Sequence, residues 1–101
     1  MKYKVTYLPI FNHDILRISE ALAVYPQKAK RIFQEMDKKL LALEDMTYLW
    51  AVYSANPKYR QMVLEDHLLF YLVDENERKV KVYRILYDKM DVPKHLLEEG
   101  G

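Results

Sequence analysis

Cysteine is absent from the 101-residue chain, which excludes disulfides, thiolate nucleophiles and cysteine-ligated zinc together. Glycine is nearly absent as well. There are only 2, both at the extreme C-terminus, so no glycine-rich loop can cradle a phosphate. The longest apolar runs, Tyr48 to Tyr53 and Leu68 to Val73, are six residues each, against ~20 for a membrane-spanning helix. No apolar stretch of signal-peptide length follows Lys2 and Lys4, so a cytoplasmic protein is expected. An excess of charge of one sign is also lacking. Lys+Arg number 16 against 15 Asp+Glu, a formal net charge of +1, so nucleic-acid binding would have to come from a local patch.

What is present is a chain half hydrophobic and 31% charged, the composition of a single folded domain. Residues 2–8 alternate, with Tyr3, Val5 and Tyr7 on one side, and predict a strand ended by Pro9. Asn12 can cap a helix from His13 with Asp14 in its first turn, and Ile15, Ile18, Leu22 and Tyr25 make its apolar stripe. Pro26 opens a second helix carrying Ile32, Phe33, Met36, Leu40 and Leu43 on one face, so the two helices form an antiparallel hairpin. Tyr48 to Tyr53 is aromatic and β-prone, and Asn56-Pro57 marks a turn. Arg60 to Leu64, His67 to Val73 and Val80 to Leu86 read as three strands of an antiparallel meander, the middle one apolar on both faces. Pro93 to Leu97 predicts a short helix. The expected organisation is one α+β domain over residues 1–97 and a frayed tail over 98–101, with one sheet face packed on the helix hairpin and the other meeting solvent, a ligand or a partner.

Four features carry a family resemblance: the opening Tyr3-Lys-Val-Thr-Tyr-Leu-Pro, the helix pair, the stretch from Tyr59-Arg60 to Tyr71-Leu-Val-Asp74-Glu, and Val80-Lys-Val-Tyr-Arg84-Ile-Leu-Tyr87-Asp-Lys89-Met-Asp91. In order and spacing they resemble the RelE/ParE superfamily of bacterial type II toxins, over residues 2 to about 92. The resemblance implies an antiparallel sheet with the helix hairpin on one side and a concave basic surface on the other. It implies no cofactor. It also implies a partner, an antitoxin whose C-terminal segment wraps the toxin. Relatives of the RelE branch cut messenger RNA on the ribosome, while those of the ParE branch act on DNA gyrase. RNA-cutting relatives usually carry an Arg where this chain has Leu68, which favours the gyrase-binding branch. A degenerate member acting only through its antitoxin is a third reading.

RNA cleavage needs a base for the 2′-hydroxyl, an acid for the leaving oxygen and positive charge at the phosphate. The resemblance assigns those roles, on the ribonuclease reading, to Arg60, Arg84, Tyr87 and Lys89, with Lys58, Tyr59, His67 and Lys81 as neighbouring binding residues. Residues 78–95 hold Arg78, Lys79, Lys81, Arg84, Lys89 and Lys94 against Asp88 and Asp91, the basic segment that stands out in a near-neutral chain, while the lysines of the second helix read as a solvated face. Alternation places Arg84 opposite Tyr83, Ile85 and Tyr87, with Lys89 turned back beside it. His13, His67 and His95 have no metal-ligand spacing, and no metal is expected.

Overall fold

A computed structural model of the protein describes residues 2–98. The elements are β1 (Lys4–Tyr7), α1 (Pro9–Ala21), α2 (Pro26–Ala42), β2 (Arg60–Leu64), β3 (His67–Asp74), β4 (Lys79–Tyr87) and α3 (Val92–Glu98). The strands form one sheet in the order β1-β4-β3-β2. The β2–β3–β4 meander is antiparallel, and β1 joins it parallel to β4, with Val5 opposite Val80. Parallel pairing requires a crossover, and the helix hairpin lies in that connection. The fold is α+β, as expected, with a mixed sheet. Glu98 closes α3, and the expected fraying of 99–101 lies outside the described residues.

Helix α1 starts at Pro9, not His13. Pro9 ends the strand and begins the helix in one step, because its preset φ suits the first helical position and the backbone N–H it lacks would have no intrahelical partner there. Asn12 is therefore inside the helix and caps nothing. The Tyr48 to Tyr53 segment is not a strand. It runs along the edge of β2 with a single bridge, Val52 to Arg60, and the Tyr53 N–H donates to the Tyr59 carbonyl at 2.8 Å. Glu65 supplies the turn between β2 and β3 with φ of 55°, a left-handed backbone reached without glycine.

The core is built on both faces of the sheet. On one, Ile32, Met36 and Leu40 of α2, Phe11 and Ile18 of α1 and Leu22 just after it pack on Met62, Leu69, Tyr71 and Val82, with Phe33 half-buried at the margin. On the other, Tyr59, Phe70, Tyr83 and Leu86 are covered by Val92 and Leu96 of α3. The second face is therefore closed by the chain itself over its central part. Between Phe70 and Tyr71 the register with β4 slips, so Arg84 opposes Phe70 and Val82 opposes Tyr71. Tyr83 is the extra residue of this bulge, and it shifts the alternation. Tyr83 consequently packs with Phe70, while Ile85 faces the helices.

Candidate functional site

The residues read from the sequence as one basic site are distributed over both ends of the sheet. Arg84 points inward. Only 2% exposed, its guanidinium donates to Asp14 Oδ1 at 2.8 Å, to Asp14 Oδ2 at 3.1 Å and to the His95 carbonyl at 3.0 Å. The bulge redirects it: the backbone N–H of Ile85 also donates to Asp14, at 3.1 Å, and Arg17 completes the shell of that carboxylate. The expected convergence of Arg84 with Lys89 does not occur, since Lys89 lies in the exposed turn after β4.

Arg60 clamps the 48–53 segment. It donates to the Trp50 carbonyl at 2.7 Å and lies 5.0 Å from the Tyr48 ring centroid. Tyr59 is buried and stacked on Tyr83, with centroids 4.8 Å apart, and the Lys58 ammonium sits 5.5 Å from the Tyr59 ring. Lys81 pairs with Asp74 at 3.1 Å. Donating to the Asp74 carboxylate raises the lysine's pKa, while the Glu77 backbone N–H, followed by Lys81, holds Asp74 below its ordinary range.

His67 and Tyr87 do meet. They are cross-strand partners at the open end of the sheet, with ring centroids 5.7 Å apart. They line a groove of about 460 Å³ between the second half of α1, the start of α2 and the ends of β3 and β4. Its floor is apolar, from Ile18, Leu22, Ile85 and Leu86, and Arg17, Lys28, Asp66 and Tyr87 are among its polar lining residues. The buried His67 ring places Nδ1 2.9 Å from Asp66 Oδ1. A carboxylate can only accept, so Nδ1 carries a proton and donates to Asp66. The other Asp66 oxygen accepts from the Lys28 ammonium at 2.6 Å.

Burial pushes the pKa of Asp66 up, but the hydrogen bonds from Lys28 and His67 outweigh it and hold the carboxyl below its ordinary value. A depressed folded-state pKa gives stability that is present above the unfolded value, ~3.9, and lost as pH falls through the folded one. Asp66→Asn is therefore expected to lower stability at neutral pH by no more than about 1 kcal/mol, the pair being partly solvated. The gap between wild type and variant should close in acid, measured by urea unfolding at pH 7 and at about pH 2.5. An unchanged gap in acid would show that the ion pair contributes nothing.

Sequence reasoning missed Asp14, Arg17, Lys28 and Asp66 as neighbours of the site. For Asp14 a signal existed: it lies three residues after Phe11 and four before Ile18, inside the apolar stripe of α1. An acid at such a position must find a buried cation or donors. Arg17 follows Asp14 by three residues on the same helix and Asp66 adjoins His67, so both are local contacts, whereas the Lys28–Asp66 pair spans 38 residues and leaves no local signal.

Three helices on a four-stranded mixed sheet make an α+β fold shared with solved toxin–antitoxin structures. The chain superposes on a structure of the chromosomal ParDE toxin–antitoxin system from P. aeruginosa with a TM-score of 0.68 and 19% identity, over 85% of this chain and 96% of that one. It superposes on the RelBE2 toxin–antitoxin complex from Mycobacterium tuberculosis with a TM-score of 0.55 and 13% identity, over 86% and 99%. No curated protein matches the chain. The sequence model for the ParE toxin of the type II toxin-antitoxin system parDE matches residues 5–92, and the chain belongs to that family. Among the described residues, no helix is long and apolar enough to cross a membrane.

Proposed function

We propose that this toxin arrests growth in the cytoplasm by binding DNA gyrase and that an antitoxin segment neutralises it by covering the groove beside His67. Membership of the ParE family supports the gyrase reading. The observation that carries it is the state of the cations: Arg84 is buried against Asp14, Arg60 holds the Trp50 carbonyl, and Lys81 is paired with Asp74. A phosphate-cleaving site needs such groups aimed at the reacting anion, and here they are committed to the fold.

The antitoxin assignment rests on the groove's apolar floor and polar rim, the makeup of a surface that receives an amphipathic segment. Lys89, exposed after β4, is then a contact point. Expression of the chain is expected to stop DNA synthesis before protein synthesis, and the purified protein to inhibit supercoiling by gyrase. Lys89→Ala should weaken inhibition without abolishing it. Intact supercoiling together with cut messenger RNA on ribosomes would overturn the gyrase reading.

One observation favours the ribonuclease reading, the Asp66-oriented imidazole of His67 beside Tyr87, which has the form of a general base. On that reading His67→Gln lowers RNA cleavage by about 100-fold or more. On the gyrase reading the same variant, if folded, still arrests growth.

A further inference from the structure

The free edge of β1 is short and its hydrogen-bonding groups can be traced one by one. Lys4 donates its backbone N–H to Arg78 and Leu8 donates to Val82, so the even-numbered residues of the strand face β4. The odd-numbered ones face outward. Of these, the Tyr3 N–H is already taken by the Glu44 carbonyl at the end of α2, at 2.9 Å. Pro9 has no N–H. Val5 and Tyr7 are left with main-chain groups directed away from the sheet. Beside them a groove of about 330 Å³ runs between β1 and α2, lined by Val5, Tyr7, Leu40 and Leu41 with Asp37 and Glu44. Leu41 is 65% exposed and Tyr7 49%, and neither β-bulge nor proline interrupts the edge before Pro9.

We propose that β1 pairs antiparallel with β1 of a second copy of this chain, each copy seating its Tyr7 in the groove between β1 and α2 of the other. The register is the argument. With the two-fold axis at Thr6, Val5 of one copy faces Tyr7 of the other, and the two residues exchange both of their main-chain hydrogen bonds. Four bonds form, using every outward N–H of Val5 and Tyr7. The next outward pair would be Tyr3 with Pro9, where one N–H is engaged by Glu44 and the other does not exist. The ladder ends where its donors end.

The groove chemistry agrees. An apolar wall of Val5, Leu40 and Leu41 with carboxylates nearby fits a side chain that has an apolar body and a donor tip, as tyrosine has. Burial, then the charges of Asp37 and Glu44, raise the Tyr7 pKa, so the phenol keeps its proton and can donate to a carboxylate across the interface. The inference is independent of the cellular target.

Analytical ultracentrifugation of the purified chain over roughly 1 µM to 1 mM tests it. A concentration-dependent dimer is expected. Tyr7→Pro removes an outward N–H without touching the bonds to β4, and Leu41→Glu charges the groove at an already exposed position. Both should be monomeric throughout, with wild-type circular dichroism. Tyr7→Phe should raise the dimer Kd about tenfold through the lost hydrogen bond to a carboxylate. Should Tyr7→Pro fail to fold, Leu41→Glu decides. A wild type that stays monomeric overturns the proposal and leaves the edge to a strand from a different protein. A dimer that survives Leu41→Glu overturns it too.

Discussion

Asp14→Ala is expected to destabilise the protein by about 3–5 kcal/mol, because it removes the carboxylate facing a buried guanidinium. Asp14 is 1% exposed and Arg84 2%. Their two hydrogen bonds at 2.8 and 3.1 Å are joined on the same carboxylate by the backbone of Ile85 and by Arg17. Asp14 therefore ties α1 to the bulge of β4, and Arg84 extends the link to α3 through the His95 carbonyl. Domains of this size are stable by only about 5–15 kcal/mol, so the loss is a large fraction of the whole. Urea unfolding measures it as a fall in midpoint with little change in slope. Replacing both partners, Asp14→Leu with Arg84→Met, should recover most of the loss, since the cost lies in stranding one charge. A single Asp14→Ala variant within about 0.5 kcal/mol of wild type, the range of ordinary surface substitutions, would refute the structural role given to this pair.

Phe70→Ala is expected to cost about 3–5 kcal/mol and to loosen α3 selectively. The Phe70 side chain is fully buried, on the sheet face away from the hairpin, with the Tyr53 ring edge-on at 5.0 Å. Val92 and Leu96 of α3 belong to the same cluster, and the Tyr83 hydroxyl donates to the Leu96 carbonyl at 3.2 Å. A void at Phe70 removes packing beneath a helix of 7 residues, too short to persist alone. Hydrogen exchange should therefore speed up in α3 well before it does in α2. Ile32→Ala is the control: it cuts the opposite core by about 2–5 kcal/mol and should leave the relative protection of α3 unchanged. If both variants open α3 alike, the two faces behave as one cooperative core and the separation drawn between them is wrong.

Elements with local signals are legible along the chain. The apolar stripe Ile32, Met36, Leu40 sets α2, because a 3.6-residue period can bury one face only. The continuous apolar run of β3 sets a strand covered on both sides, and the polar segments around it set the meander. Pro9 and Pro26 mark where helices begin, although in the sequence Pro9 signals only the end of a strand, since the same fixed φ serves either purpose.

Other features arise from contacts remote in sequence. Parallel pairing of β1 with β4 joins residues some 75 apart, with Val5 opposite Val80, and nothing in either strand announces the direction. The bulge at Tyr83 changes which face every later residue of β4 meets. Strict alternation therefore misplaced Arg84, and an expected surface cation became a buried one. Its partner Asp14 lies 70 residues away. A charge in the interior is settled by whether an opposite charge and donors reach it in three dimensions, and no spacing along the chain records that distance.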